Sequence, residues 1–289
     1  MSPVEQVLVL TDGSPAARAA VGIAIACAKA LGRPLAVLGA SEGSGNDESV
    51  GAAVQEAQTQ AKKELKTVIA VQSSGDLLDL ARQRVADVPT CLVLAGSKRE
   101  PVGARIQITP RVWTLIKSLE PPVLVAPEDH PSPLRWLFCT GGAAHIEDGA
   151  QFAATLAKGL GASVTVFHVS PVVPGIFGDR LEEEEENAEQ FLRSNSRIAK
   201  HVQRQVEIFR KVGVETKVRV RTGEVVERVL EEIRSGGHDL VVVGSSPTHG
   251  AIRTYLMGDV TRDIVTLSSR PFLVLRSRQP DFWEALWKS

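Results

Sequence analysis

The sequence predicts an α/β protein with two tandem open five-stranded parallel sheets, each with helices on both faces. The 289-residue chain contains ten short runs rich in Val, Leu and Ile. These runs are nearly continuous rather than alternating, as in strands that are buried on both faces of a parallel sheet. Helical segments separate them, and such alternation is typical of right-handed β-α-β crossovers. The order of elements repeats after about 140 residues, which indicates a duplicated domain.

The first half of the chain begins with a strand, a tight turn and a helix. The turn residues Asp12-Gly13-Ser14-Pro15 follow the first strand, and Gly and Pro both favour turns. The Ala-rich segment Ala16–Leu31 comes next and is predicted to be a helix. The five strands of this half are predicted over Val7–Leu10, Leu35–Ala40, Val68–Gln72, Cys91–Gly96 and Val123–Pro127.

The second half repeats this pattern and contains a longer helical segment. That segment is predicted over Glu182–Arg210, and its acidic start suits the positive N-terminal end of a helix dipole. Apolar residues recur in it at helical spacing, which predicts an amphipathic stripe formed by Phe191, Ile198, Val202, Val206 and Phe209. The five strands are predicted over Arg135–Thr140, Ser163–Val169, Thr216–Arg221, Asp239–Gly244 and Phe272–Arg276.

The repeat sets the expected domain boundaries. Thr11 corresponds to Thr140, an offset of 129 residues, and Gly96 corresponds to Gly244, an offset of 148. We expect domain 1 over residues 1–129 and domain 2 over residues 134–278, because the prolines between Glu128 and Pro133 stop regular structure. The tail, residues 279–289, is expected to be an amphipathic C-terminal segment, whose apolar face needs a cover from its own domain or from another subunit.

Composition excludes several classes of function. Lys and Arg total 33 against 34 Asp and Glu, a formal net charge of −1, and aromatic residues make up only 4%. A nucleic-acid partner is therefore not expected, because such binders usually carry a basic excess and aromatic stacking residues. No run approaches the ~18 apolar residues of a membrane span, and no signal peptide is visible. Three scattered cysteines suit a reducing compartment, so we expect a cytoplasmic protein with no membrane partner.

The order of these motifs resembles the universal stress protein family in both halves. The first strand, Asp12-Gly13-Ser14-Pro15 and the Ala-rich helix resemble the family's beginning. Asp239–Ser245, a loop with Gly258, a helix and then Arg270–Leu275 resemble its ending. The resemblance implies a Rossmann-like, adenine nucleotide alpha hydrolase-like fold. It also implies a role in stress response through binding or signalling to an unknown protein partner. By resemblance the two fifth strands meet within the chain as an internal pseudo-dimer, and two such chains can pair further as a homodimer.

In ATP-binding members of this family, the loop after strand four reads G-x2-G-x9-G-[ST], and an Asp after strand one lies beside the adenosine. Glycines let backbone N–H groups approach phosphates, and a helix N-terminus attracts anions. The candidate binding residues of the first half are Asp12, Gly13, Ser14, Gly96 and Ser97. This half departs from the motif at Arg99, which replaces the second glycine. It departs again at Thr109-Pro110, where proline removes an N–H group that a phosphate would use.

The candidate binding residues of the second half are Gly244, Ser245, Gly250, Gly258 and Asp259. Gly141 stands where the first half has Asp12, and Asp259 places a carboxylate where phosphate oxygens would lie. Two unit charges ~4 Å apart repel by ~1 kcal/mol in water and by ~4 kcal/mol at an effective dielectric constant of 20. The sequence therefore predicts degraded ATP sites in both halves and no required cofactor. The alternative is an adenine-nucleotide sensor that binds ATP through the second-half loop.

Two further alternatives remain at this point. Basic residues near both loops could hold a different phosphate or an acidic partner, and they are Lys98, Arg99, Arg105, Arg111, His249, Arg253 and Arg262. Gly39–Gly43 matches G-x-S-x-G, so a hydrolase with Ser41 as its nucleophile is the second alternative. The six histidines show no metal-ligand spacing, and His168 is expected to be a packed core or interface residue. We expect no catalytic residue, no metal and no enzymatic activity.

Overall fold

The structure is a computed structural model of the chain. It describes residues 5–41, 47–97, 99–102, 105–108, 110–128, 133–141, 147–170, 188–194, 196–245, 260–268 and 270–276. Within these residues, helices and strands alternate along most of the chain. Among the described residues, none of the helices combines the length and the apolar composition that a membrane span requires.

The strands and helices are numbered in chain order. The strands are β1 (Gln6–Thr11), β2 (Leu35–Ser41), β3 (Val68–Ser74), β4 (Thr90–Ser97), β5 (Arg99–Val102), β6 (Arg105–Ile108), β7 (Val123–Pro127), β8 (Arg135–Thr140), β9 (Ser163–Ser170), β10 (Thr216–Thr222), β11 (Leu240–Ser245) and β12 (Phe272–Arg276). The helices are α1 (Pro15–Leu31), α2 (Asp47–Lys62), α3 (Leu77–Asp87), α4 (Pro110–Ser118), α5 (Glu147–Leu160), α6 (Ala188–Arg193), α7 (Arg197–Lys211), α8 (Val225–Ser235) and α9 (260–267).

Ten strands form one sheet in the order β10-β9-β8-β11-β12-β7-β4-β1-β2-β3. All ten strands predicted from the sequence are present, and within each half every neighbouring pair is parallel. The two predicted five-stranded sheets are joined where β12 pairs with β7 in antiparallel orientation, with Leu273 opposite Leu124. This confirms the expected meeting of the two fifth strands. Because the joint is antiparallel, the carboxyl ends of the strands lie at opposite edges of the sheet in the two halves.

Helices cover both faces of the sheet. Buried residues of α1, α2, α5 and α7 form one core layer, and those of α3, α4, α8 and α9 form the other. On the first face, α1 of one half packs against α5 of the other. Gly159 makes this approach possible, because a Cβ there would lie 2.6 Å from both Cβ and the carbonyl oxygen of Ala30. The two halves are therefore held together by a helix contact as well as by the β7–β12 joint.

The prediction of one long helix over Glu182–Arg210 is wrong in part. Residues 182–187 lie outside the described residues, and the remainder is divided into α6 and α7. Ser196 begins a new helix, because its side-chain oxygen accepts a hydrogen bond from the backbone N–H of Ala199 at 3.1 Å. Ile198 lies in the first turn of α7 and is 41% exposed, although the stripe predicts it to be buried. The other four residues of the stripe pack against the core.

The antiparallel hairpin β5–β6 was not predicted. It follows β4 directly, with Arg99 opposite Ile108 and Val102 opposite Arg105. It forms a separate two-stranded sheet beside the main one. The hairpin occupies the chain between the end of β4 and the start of α4, which is where the sequence motif places a glycine-rich loop.

Candidate functional site

At the end of β1, hydrogen bonds between neighbouring residues stabilise the turn Asp12-Gly13-Ser14. The backbone N–H of Gly13 donates to Oγ1 of Thr11 at 3.2 Å, and the N–H of Ser14 donates to Oδ1 of Asp12 at 2.9 Å. Oγ of Ser14 accepts from the N–H of Ala17 at 3.3 Å and so caps α1. One oxygen of the exposed Asp12 carboxylate is thus engaged in the turn, and the start of α1 is capped by its own chain.

Gly13 permits this turn to be tight. Its φ angle is +80°, a backbone conformation that glycine adopts readily and other residues rarely do. A Cβ at this position would also lie 3.5 Å from the carbonyl oxygen of Ser49 in α2. Backbone conformation therefore accounts for glycine at this position.

Gly96, at the end of β4, allows a close approach between a strand and a helix. A Cβ at Gly96 would come within 3.0 Å of the backbone of Ala16 and Ala17 in the first turn of α1. The sequence suggested either a tight turn or a phosphate contact as the reason for this glycine. The structure provides a third reason, because α1 packs directly on the end of β4. The neighbouring Ser97 is buried.

The loop expected after β4 is a hairpin followed by a helix that begins with proline. Strand β5 begins at Arg99, two residues after β4 ends, and α4 begins at Pro110. Proline suits the first position of a helix, but it has no backbone N–H to offer an anion. Lys98 and the side chains of Arg99 and Arg105 lie outside the described residues, and Arg111 is exposed in the first turn of α4.

The corresponding end of the second half is described only in part. Strand β8 ends at Thr140, Gly141 follows it, and β11 ends at Gly244 and Ser245. Helix α9 contacts this end of β11. Oγ1 of Thr261 donates a hydrogen bond to the carbonyl oxygen of Gly244 at 3.2 Å. The expected binding residues Gly250, Gly258 and Asp259 lie outside the described residues, as do the neighbouring His249 and Arg253. The degraded site of this half stays a prediction.

His168 is a packed residue of the second half, as the sequence predicts. It is buried in β9, and its Nδ1 lies 2.9 Å from the carbonyl oxygen of Thr140. A carbonyl only accepts, so Nδ1 carries the proton. The ring also stacks on Phe191 with 5.2 Å between ring centroids. These contacts fix the ring between β8, β9 and α6.

A buried carboxylate in the second half was missed by the sequence analysis. Glu232 of α8 accepts hydrogen bonds from Nη1 of Arg219 at 2.8 Å and from Nε2 of His238 at 2.9 Å. Arg221 adds a second guanidinium 3.6 Å away. Burial alone would raise the pKa of Glu232, but the hydrogen bonds and charges of His238 and Arg219 outweigh it and hold that pKa below its usual value. One sequence signal could have indicated this carboxylate: Arg219 and Arg221 occupy alternate positions of a predicted strand and therefore lie on the same face of the sheet.

The structure does not place Ser41 at a nucleophile elbow. Ser41 is buried and still lies in β2, paired with Ser74 of β3, and its hydroxyl donates to the side chain of Asp47. A nucleophile elbow needs an exposed serine on a sharp turn from strand to helix. Helix α2 begins only at Asp47. Within the described part of the chain, no group of three or more His, Cys, Asp or Glu side chains could hold a metal ion.

Comparisons with known proteins agree with this architecture. The model of the universal stress protein family matches residues 135–276. A universal stress protein from Archaeoglobus fulgidus has a similar structure, with a TM-score of 0.68 and 15% identity over 94% of this chain and 98% of that one. A functionally unknown protein from Pseudomonas aeruginosa aligns with a TM-score of 0.61 and 16% identity over 95% of this chain and 93% of that one. No curated protein matches.

The same fold also occurs in a transporter. The cytoplasmic domain of a prokaryotic cation chloride cotransporter aligns with a TM-score of 0.56 and 12% identity, over 95% of this chain and 96% of that one. At such identities the likeness shows the fold alone. Function must therefore be argued from the strand ends of this chain.

Proposed function

Residues 135–276 of this chain belong to the universal stress protein family, and from this we propose that the whole chain is a tandem universal stress protein. Its two domains are residues 1–129 and 134–278, followed by an amphipathic tail over residues 279–289. The repeated order of strands supports this division, because each half contributes five parallel strands to the sheet. Residues 6–127 thus carry the same arrangement as the half that the family model matches.

Its role is stress response through binding and signalling rather than catalysis, in the cytoplasm. The described strand ends support a non-catalytic role, because their polar side chains are engaged in capping and packing. Ser14 caps α1, the Ser41 hydroxyl bonds Asp47, and the ring of His168 is held between two strands and a helix. A catalytic serine must be exposed to its substrate, and Ser41 is buried.

The ATP sites of both domains are degraded. In domain 1 one observation carries this proposal: a hairpin and then Pro110 occupy the segment where the family motif has a glycine-rich loop and a Gly-Ser/Thr helix start. Helix α4 therefore begins without one of the N–H donors that a phosphate would use. In domain 2 the proposal rests on the sequence, in which Asp259 and Gly141 depart from the motif.

Native mass spectrometry of the purified full chain tests this proposal. The mass observed under gentle ionisation should equal that of one polypeptide chain or of an exact multiple of it, with no added adenine nucleotide. Addition of Mg-ATP at micromolar concentration should leave the spectrum unchanged. A stoichiometric nucleotide adduct on the freshly purified protein would contradict the proposal.

A second candidate function is an adenine-nucleotide sensor in domain 2. The observation that favours it is that β11 ends on Gly244-Ser245 and that α9 returns to this strand end through Thr261. Ligands of open parallel sheets bind beyond the carboxyl ends of the strands, so a nucleotide is expected to bind at this edge. One nucleotide per chain that is lost on Gly244→Val substitution, and kept on Gly96→Ala substitution, would establish this function.

A further inference from the structure

In the described part of the chain, the ten-stranded sheet ends at β3 on one side and at β10 on the other. A strand at the edge of a sheet presents backbone donors and acceptors that can pair with another chain. The fifth strands, β7 and β12, are paired with each other inside this chain and are no longer edges. Among the described strands, β3 and β10 are therefore the edges from which the sheet could grow further.

Strand β10 is protected against pairing with its own copy. Lys217, Arg219 and Arg221 alternate along it. Glu232 offsets part of the charge of Arg219 and Arg221 within one chain, but Lys217 is exposed. Two copies of β10 side by side would still bring an excess of positive charge together, which is destabilising. Charged side chains on an edge strand are a common protection against such association.

Strand β3 lacks this protection. It contains no charged residue from Val68 to Ser74, and it is rich in β-branched and small side chains. Ile69 is 37% exposed, and Ala70 and Gln72 are exposed as well. An uncharged, seven-residue edge strand with an exposed Ile is a template for strand addition.

The hydrogen bonds between β2 and β3 show which backbone groups point outward. The N–H of Leu35 donates to the carbonyl of Thr67 at 3.2 Å, and the N–H of Gly75 donates to the carbonyl of Ser41 at 3.1 Å. In a parallel pair the residues of one strand bond alternately to one side and to the other. The odd-numbered residues of β3 therefore face β2. The N–H and C=O groups of the even-numbered residues, including Ala70, point away from the sheet.

We propose that two copies of this chain associate through β3, in antiparallel orientation about a two-fold axis. Full overlap of the seven-residue strand places Val71 on the axis, Val68 opposite the partner's Ser74, and Ala70 opposite the partner's Gln72. In this register the outward groups of the even-numbered residues face one another, as an antiparallel ladder requires. The two ten-stranded sheets become one continuous sheet.

The charges that flank β3 are complementary in this register. Lys66 precedes the strand, Asp76 follows it, and both are exposed. Continuing the antiparallel register by two residues sets Lys66 of each copy opposite the partner's Asp76. The Asp76 carboxylate is already held in place, because its Oδ1 caps α3 by accepting from the N–H groups of Leu78 and Asp79. The two-fold axis makes this pair occur twice.

Light scattering coupled to size-exclusion chromatography tests the proposal on the full chain. The wild-type protein should have twice the 31.0 kDa mass of one chain. Lys66→Glu should weaken dimerisation by about tenfold or more, since it replaces two attractive pairs with two repulsive ones. Lys63→Glu is the matched control, because it makes the same charge change at an exposed position outside the strand and should leave the dimer intact.

A second variant tests the backbone ladder itself. Ala70→Pro removes only an outward N–H, so the bonds to β2 remain and the fold should persist by circular dichroism while the dimer dissociates. A wild-type chain that stays monomeric at its highest soluble concentration would overturn the proposal. So would a dimer that survives both Lys66→Glu and Ala70→Pro, since its interface would then lie elsewhere.

Discussion

Substitution of Gly96 by alanine tests whether this glycine serves packing rather than phosphate binding. The added Cβ would come within 3.0 Å of the backbone of Ala16 and Ala17, and backbone atoms of a packed helix cannot move aside as a side-chain tip can. Overpacking of a core usually costs 1–3 kcal/mol, so we expect Gly96→Ala to lower the free energy of unfolding by about 3 kcal/mol. Equilibrium unfolding of the full chain in urea, followed by circular dichroism, measures this change.

Gly22→Ala is the matched control for this experiment. Gly22 lies on the exposed side of α1, and a Cβ there would meet nothing within 4 Å. Alanine in a helix interior is favoured over glycine by about 1 kcal/mol, so this variant should be more stable than the wild type. The same chemical change thus has opposite expected signs at two positions in one half of the chain. A Gly96→Ala protein within about 0.5 kcal/mol of the wild type would refute the packing argument.

Three further predictions follow from the second half. Gly159→Ala should lower the free energy of unfolding by about 1–2 kcal/mol in urea, because its Cβ would lie 2.6 Å from Ala30. Glu232→Gln should cost about 2 kcal/mol at pH 7. The lowered pKa of Glu232 stabilises the wild type above the ordinary Glu pKa of ~4.3 and ceases to do so as pH falls through the folded value. The variant's stability should therefore depend less on acid pH, as pH-dependent unfolding would show. Asp259→Ser should tighten Mg-ATP binding by roughly tenfold in calorimetry, and an unchanged affinity would remove the electrostatic argument.

The sheet was predictable because its strands are buried on both faces. Runs such as Val7–Leu10 and Val123–Pro127 are continuously apolar, and few other structures require that pattern. The joint between β7 and β12 followed from the family resemblance rather than from the residues, since nothing in either strand alone specifies its partner. The boundaries of these strands differ from the expected ones by only one or two residues.

Short polar segments were less predictable. The hairpin β5–β6 contains Pro101 and only four-residue strands, so neither apolar continuity nor strict alternation marks it. The break before α7 depends on Ser196, and a serine within a helical pattern indicates a cap only when the surrounding backbone is known. The amphipathic period continued through this break, which is why a single helix was expected there.

The candidate site was predictable in position but not in the role of its residues. The strand ends of β1 and β4 lie where the sequence places them, but Gly96 is explained by the neighbouring turn of α1, which is distant in sequence. From the sequence alone, Glu232 would be predicted to lie on the exposed face of an amphipathic helix. Its burial becomes evident only when β10 brings Arg219 against α8.

Isothermal titration of the full chain with Mg-ATP tests the central claim most directly, because it samples both domains at once. We predict no binding tighter than the millimolar range, since the first domain lacks one of the N–H donors of the motif and the second carries Asp259 at the phosphate position. Micromolar affinity with a stoichiometry of one or two nucleotides per chain would contradict it.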